Sequence, residues 1–244
     1  VTGRPVRDEL GRRLPATLRL TVAALALSLT MAMALACAAA SAPGRVPDTA
    51  ARLFALAGLV LPGFLVALAL LHFVVLRLGW FQVVADGTWS TVLLPAFALS
   101  LSAAALWSRV LRAGLIQARG AAHIEVCKAR GASPLRLLII HDLPNALVPF
   151  LTVVGTGFAA LLGGAPIVET VFTWPGVGRF AVQAINARDL PVVQGFTLLA
   201  ILAFVVVSML VDVIAVAVDR RLAPPQARRR PRALPPELPA GLSA

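Results

Sequence analysis

The stretch EVCKARGASPLRLLIIHDLPNALVPF, residues 125–150, interrupts a chain that is otherwise strongly apolar. It contains a short charged run, a glycine, a Ser-Pro pair and a Leu-Pro pair, and a plain membrane-spanning helix needs none of them. Residues 123–130 have the length of two helical turns, and Gly131 can adopt the left-handed conformation that ends a helix. Ser133 and Pro134 are typical of the first positions of a new helix. The stretch therefore predicts two short helices joined at a glycine.

The second predicted helix covers residues 135–143 and carries Leu135, Leu138 and Ile139 on one apolar stripe. Pro144 is expected to restart the chain toward the next apolar run, and Pro149 is expected to kink it. Two interpretations of this helix pair remain open. It is either an amphipathic element lying on a membrane surface or a docking element for a soluble partner.

Long uncharged runs occupy most of the 244 residues, of which 59% are hydrophobic and 14% charged, against about 25% charged in soluble domains. Lys and Arg number 22 against 11 Asp and Glu, but these charges separate apolar runs and form no polar surface for nucleic acid. The uncharged runs, each longer than the roughly 20 residues that cross a bilayer, are residues 20–44, 53–76, 87–108, 143–168 and 190–211. The sequence therefore predicts an all-α polytopic membrane helix bundle with five transmembrane helices.

The charged positions set the predicted boundaries. We expect an extracytoplasmic segment at 1–15, a transmembrane domain at 16–222 and a disordered Arg- and Pro-rich tail at 223–244. The predicted spans are residues 18–40, 53–76, 91–112, 145–166 and 191–217. Residues 119–144, named the coupling segment below, stay outside the bilayer, because each charge at a span centre costs about 2.5–3.5 kcal/mol.

The distribution of Lys and Arg predicts the orientation of the chain. The coupling segment, the loop after the first span and the C-terminal tail are rich in these residues and share one side. The positive-inside rule places that side, with the C-terminus, in the cytoplasm. Arginines near the N-terminus conflict with this orientation, because they lie on the predicted outer side.

Two motifs carry a resemblance to a known family. Glu125, Gly131 and the run His141 to Pro144 resemble the EAA loop of ABC importer permeases, whose pattern is E-A-A-x-x-x-G-x₉-I-x-L-P. The block GGAPIVETVFTWPGVGRF, residues 163–180, is similar to the segment before the last helix in the dipeptide, oligopeptide and nickel branch. Val126 and Cys127 depart from the two alanines of the pattern, and His141 stands at its isoleucine.

The resemblance implies roles for three groups of residues. The ATPase-coupling residues would be Glu125, Lys128, Ala129, Arg130, Gly131, Ser133, Pro134, His141, Leu143 and Pro144. An outer gate, or a contact to a solute-binding protein, would comprise Glu169, Thr170, Phe172, Trp174, Pro175, Gly176 and Gly178; an interfacial tryptophan belt with a loop is the alternative. Asp212 is an intramembrane acid, for which we favour a structural ion pair over a proton relay.

The family further implies a permease subunit of an ATP-driven importer for peptides or a related small solute such as nickel. The sequence lacks a G-x-x-x-x-G-K-[ST] loop, so we expect ATP to be held by a partner and no cofactor to be bound by this chain. It also shows no catalytic pair within one or two helical turns inside an apolar run, so we expect no catalytic residue and no enzyme activity. His72, His123 and His141 are too dispersed to predict a metal site. The implied partners are ABC ATPase subunits, a second permease, an extracytoplasmic solute-binding protein and the lipid of the cell inner membrane, without nucleic acid.

Permeases of this family have six helices, so we expect the first helix to be missing here, through truncation or a start site placed too late. The alternative function is therefore a truncated or decayed permease that acts only as a membrane scaffold and transports nothing.

Overall fold

Nine α-helices follow one another in the part of the chain that the computed structural model describes, residues 5–81 and 85–218. They are α1 (Val6–Ser41), α2 (Val46–Val60), α3 (Gly63–Leu70), α4 (Leu93–Arg119), α5 (Ala122–Ala129), α6 (Pro134–Arg136), α7 (Leu143–Val171), α8 (Val177–Asn186) and α9 (Leu190–Val218). Two π-helical stretches, Leu71–Arg77 and Leu137–Asp142, extend α3 and join α6 to α7. No strand occurs in these ranges, which agrees with the predicted all-α class.

Among the described residues, up to five segments are long and apolar enough to cross a membrane. Three of them are α1, α4 and the Leu190–Val211 part of α9. Two bent pairs, Val46–Val60 with Gly63–Arg77 and Pro134–Leu147 with Pro149–Phe158, raise the number to five if each pair is one span. Helix α1 begins at Val6 and so runs through most of the predicted N-terminal segment 1–15. The predicted tail, 223–244, lies outside the described residues.

The second span, predicted as one helix over 53–76, is instead sharply broken. Helix α2 ends at Val60, and the axis turns by 101° before the helix that begins at Gly63. Pro62 is the physical cause, because a proline disfavours the helical conformation of the residue before it. Leu61 is accordingly extended, with φ −77° and ψ 120°.

The core of the bundle forms where α4 packs between α1 and α7. Leu20, Trp107, Leu111 and Leu115 are fully buried there. The helices approach closely at Gly157, where an added Cβ atom would lie 2.6 Å from Nε1 of Trp107. Small residues at such crossings let backbones pack tightly, as is usual between membrane helices.

Helix α4 runs between two ends of the bundle that carry different contacts. At one end, the coupling end, Arg119 donates a hydrogen bond to the carbonyl of Ala40, close to the end of α1. At the other, the opposite end, Arg19 donates to the carbonyl of Gly87 at 2.8 Å. The coupling segment and the 169–180 block therefore lie at different ends, as the predicted topology requires.

Candidate functional site: the coupling segment and the opposite turn

The glycine of the coupling segment ends a helix in the predicted way. Gly131 has a φ of +83°, in the left-handed region. Its N–H donates to the Lys128 carbonyl at 2.9 Å, and the N–H of Ala132 donates to the Cys127 carbonyl at 3.1 Å. This bond pair is the Schellman motif, which satisfies the free carbonyls at a helix end. No atom lies within 4 Å of the position where a Cβ of residue 131 would stand, so its constraint is conformational.

The Ser-Pro pair begins the next helix, as predicted. The hydroxyl of Ser133 accepts a 3.4 Å hydrogen bond from the N–H of Arg136, and Pro134 occupies the first turn. The prediction that Pro144 restarts the chain is wrong, because the helical path continues from Pro134 through α7. Pro144 is the second residue of α7, which directly follows the π-helical stretch Leu137–Asp142. The bend of 54° falls between Leu147 and Pro149.

The three residues of the predicted apolar stripe do not share one face of this helix. Leu137 and Leu138 are buried, whereas Leu135 and Ile139 are 65% and 54% exposed. The predicted stripe assumed 3.6 residues per turn, but Leu137–Asp142 is π-helical and therefore more widely wound. The wider turn places the two leucines against the bundle and leaves Ile139 outside.

Two buried residues attach the coupling segment to the helix bundle. Ile124 is fully buried, and so is Asp142, whose Oδ2 accepts a 3.0 Å bond from Nε of Arg119. The same arginine donates to the Ala40 carbonyl, so one side chain joins α1, α4 and the π-helical stretch. Oδ1 of Asp142 has no hydrogen-bond partner among the described residues.

Two of the departures from the family pattern meet in space. Sγ of Cys127 lies 3.8 Å from Nε2 of His141, which brings α5 against the stretch Leu137–Asp142. Leu143 is half-buried beside this contact and packs against the main core. The residues that replace an alanine and the isoleucine of the pattern therefore contact each other across the joint between the two short helices.

The outward face of the segment carries both charge and apolar surface. Glu125, Lys128 and Arg130 are exposed and form no ion pair within the described ranges. Ala129 and Pro144 are also exposed. The exposed large apolar residues of this face are Val126, Leu135, Ile139 and Ile140.

At the opposite end, a buried carboxylate organises the turn of the 169–180 block. Glu169, near the end of α7, is fully buried. Its Oε1 accepts a 2.6 Å bond from the hydroxyl of Thr17, and its Oε2 accepts a 2.8 Å bond from the N–H of Arg179. The Thr17 hydroxyl also accepts from the N–H of Val177 at 2.9 Å. Glu169 and Thr17 thus cap the first turn of α8 from two other helices.

The glycines of this turn make room for that carboxylate. A Cβ at Gly176 would lie 2.2 Å from Oε1 of Glu169, and a Cβ at Gly178 would lie 2.7 Å from Cα of Pro166. Pro175 packs from the other side against Gly87. The spacing of the two glycines therefore follows from the close approach of α7 to the start of α8.

Trp174 is not an interfacial anchor, contrary to the belt alternative. It is fully buried, and its Nε1 donates a 2.9 Å bond to the carbonyl of Ala16. Phe172 is buried beside it, whereas Thr170 is exposed and bonds the Pro166 carbonyl. The exposed tryptophans of the described chain near this end are Trp80 and Trp89, at 72% and 62%.

Comparison with known proteins decides the family. Residues 30–224 match the family described as binding-protein-dependent transport system inner membrane component. The chain belongs to this family. The glutathione transport system permease protein GsiC of Escherichia coli (strain K12) is 34% identical over 219 residues, which are 90% of this chain and 72% of the relative. The protein of the same name from Shigella boydii serotype 4 (strain Sb227) is 33% identical over the same lengths.

Solved ABC transporters share the fold of this permease. An amino acid ABC transporter with histidines superposes with a TM-score of 0.68 at 18% identity, covering 88% of this chain and 94% of its own. The MetNI methionine ABC transporter does so with a TM-score of 0.71 at 17% identity, covering 89% and 99%. Its family and its GsiC relatives make the permease a membrane-embedded importer component and not an enzyme, and the ATPase of such transporters is a separate subunit.

The sequence did not predict the contacts between helices that are made by Thr17, Asp48, Arg112, Arg119 and Asp142. Asp48 is fully buried and accepts from Nε and Nη2 of Arg112, at 2.5 and 2.9 Å, which ties the α1–α2 turn to α4. The sequence does show that acidic residues and arginines flank neighbouring uncharged runs. That pattern does not specify which acid pairs with which arginine.

Two further predicted features of the permease stay undecided. Asp212 lies in α9, but its side chain is outside the described part of the structure. Among the described residues, no three His, Cys, Asp or Glu side chains lie close enough together to hold a metal ion.

Proposed function

We propose that this permease imports short peptides together with a second permease, ATPase subunits and a solute-binding protein, and that the coupling segment docks in the ATPase. The supporting observation is the contrast between the two faces of the segment. One face is anchored in the bundle by Ile124 and Asp142, and the other exposes Glu125 and Arg130 beside large apolar side chains. A solvent-exposed face of this composition resembles the mixed polar and apolar surface of a protein interface.

The buried attachment at Ile124 and Asp142 would transmit movement of the ATPase to the helices. Arg119 connects Asp142 to the end of α4 and to the Ala40 carbonyl of α1. Force applied at the exposed face therefore reaches two long helices through one side chain. Rigid-body rotation of packed helices is a known way in which such movements change the accessibility of a site.

In this proposal the coupling end and the C-terminus face the cytoplasm, and the opposite turn is the outer gate. The Glu169 carboxylate joins α7, α1 and the start of α8, so opening at this end must carry these elements together or break their bonds. The chain itself holds no cofactor, and ATP is bound by the partner subunits.

The proposed solute is a peptide because the two GsiC relatives are named for glutathione transport. Nickel is the second candidate, since the resembling branch includes nickel importers. Uptake of a radiolabelled tripeptide and of labelled nickel, in cells with and without the gene, separates the two. Gene-dependent nickel uptake without peptide uptake contradicts the peptide assignment.

A pull-down from detergent-solubilised native cells tests the coupling role. The tagged parent chain, Gly131→Trp and the control Gly79→Trp are compared, with bound proteins identified by mass. Gly79 has a φ of +66° and open space around it, as Gly131 does, but it lies outside the coupling segment. We expect the ATPase to be lost only from Gly131→Trp, while the second permease stays with all three.

Two outcomes contradict the proposal. If no version brings down an ATPase, the segment is at most a surface helix. If the parent binds the ATPase but gene-dependent uptake is absent for every tested solute, the chain acts as a scaffold without transport.

A further inference from the structure

A small pocket with arginine walls opens between α2 and α4 near the coupling end. Its volume is about 370 Å³. It is lined by the three arginines Arg52, Arg109 and Arg112 and by the small or apolar residues Ala51, Ala55, Leu56 and Ser108. We name it the arginine pocket. It is separate from the coupling segment and from the opposite turn, and the proposed function uses none of its residues.

The charges around the arginine pocket are only partly neutralised. Asp48 accepts hydrogen bonds from both Arg52 and Arg112, so one negative charge is shared by two positive ones. Arg109 is exposed and makes no ion pair or hydrogen bond with any residue that the structure describes. The pocket therefore keeps a surplus of two positive charges, and an anion would complete it.

The position of the arginine pocket, at the ends of two uncharged runs, indicates which kind of anion it binds. The uncharged run 53–76 starts directly after Arg52, and the uncharged run 87–108 ends directly before Arg109. The two arginines thus mark the apolar boundary on two adjacent helices. Beyond them, Leu53, Leu59 and Leu106 are exposed large apolar residues, which suits contact with acyl chains. Arginines at this boundary meet the phosphates of the lipid headgroups.

We propose that the arginine pocket binds one anionic phospholipid, with its phosphodiester between Arg52 and Arg109 and an acyl chain along Ala55 and Leu56. Guanidinium groups bind phosphate oxygens through paired, charge-assisted hydrogen bonds. An anionic lipid such as phosphatidylglycerol neutralises the surplus charge, whereas phosphatidylcholine brings its own cation. Basic pockets between membrane helices are known to take anionic headgroups.

Native mass spectrometry of the detergent-solubilised chain with added phosphatidylglycerol tests this proposal. The parent is compared with Arg52→Gln/Arg109→Gln and with Arg77→Gln/Arg188→Gln as a control of equal charge loss. Arg77 and Arg188 are exposed and lie near the opposite end. Asp48 keeps its two bonds to Arg112 in the pocket variant, and circular dichroism checks that the helices are retained.

We expect the binding constant for phosphatidylglycerol to fall about 25-fold in the pocket variant, at about fivefold for each arginine, and to stay within about twofold in the control. Phosphatidylcholine should bind the parent much more weakly. Equal losses in both variants, or equal binding of the two lipids by the parent, overturn the proposal.

Two further arms exclude other occupants. If excess inorganic phosphate displaces the lipid from the parent, the pocket is a site for a soluble anion. If phosphatidylglycerol binds the isolated chain but not the assembled importer, a partner subunit covers the pocket. Either result contradicts a lipid site, whereas lipid that is retained in both arms supports it.

Discussion

The carboxylate of Glu169 lies 2.6 Å from the hydroxyl of Thr17, although the two residues are 152 positions apart in the chain. The contact joins the end of α7 to α1, and through the N–H groups of Val177 and Arg179 it also caps α8. Three helices therefore depend on one buried acid at the end opposite the coupling segment.

The losses of stability caused by mutating Glu169 and Gly176 should not be additive. Gly176→Ala places a Cβ atom against Oε1 of Glu169, and overpacking of this kind costs about 1–3 kcal/mol. Glu169→Ala removes charge-assisted hydrogen bonds worth about 1.5–3 kcal/mol. In the double variant the clash is gone, so its loss of stability should be smaller than the sum by on the order of 1 kcal/mol.

Thermal unfolding in detergent measures these three variants. Gly163→Ala is the matched control, because no atom lies within 4 Å of its added Cβ, and it should unfold like the parent. Strictly additive losses contradict the close approach of α7 to the start of α8.

Substitutions of Gly131 should rank by their tolerance of the left-handed conformation. The added side chain has open space, so only the positive φ opposes it, at about 1–2 kcal/mol for alanine. Asparagine adopts this conformation more readily. We expect Gly131→Asn to retain more co-purified ATPase than Gly131→Ala, as measured by quantitative mass spectrometry of the pull-down.

Gly63→Ala is the control for this series, since Gly63 also has open space but no positive φ. It should retain as much ATPase as the parent. An equal loss for asparagine and alanine at position 131 is the result that contradicts a conformational role.

Removing the charge of Arg119 should lower the stability of the protein more than removing the charge of Asp142. Asp142 is fully buried, whereas the side chain of Arg119 is 25% exposed. Arg119→Leu leaves a buried carboxylate without its cation and should lower stability by about 3 kcal/mol or more. Asp142→Asn keeps an acceptor for the partly solvated arginine and should cost about 1 kcal/mol. Thermal unfolding compares them, with Arg136→Leu as an exposed control, and equal losses contradict the burial of Asp142.

Trp174 should contribute to stability mainly through the burial of its ring and less through its hydrogen bond. Trp174→Phe keeps an aromatic side chain but loses the bond to the Ala16 carbonyl, at about 1 kcal/mol. Trp174→Ala empties a fully buried position and should cost about 3–5 kcal/mol. The same unfolding assay applies, and Trp89→Ala, at an exposed tryptophan, should change little. A stable Trp174→Ala variant contradicts the buried packing of this turn.

The parts of the coupling segment that sequence predicted correctly are local ones. The left-handed Gly131 and the cap at Ser133 depend on residues within a few positions, so their bonds follow from the order of residue types. The apolar stripe was wrong because it assumed a regular helix, while packing against α4 and α7 accompanies a π-helical stretch at Leu137–Asp142. The coupling and gate roles of both regions stay predictions.

The sequence by itself determined the helical class, the order of the apolar runs, the family motifs, the helix end at Gly131 and the helix start at Ser133. These properties depend on composition and on neighbours in the chain. Only the tertiary structure decided which partner each buried acid has, since Thr17 meets Glu169, Asp48 meets Arg112 and Asp142 meets Arg119 across different helices. The physical reason is burial: an acid removed from water needs a partner in space, and its partner is chosen by helix packing and not by distance along the chain.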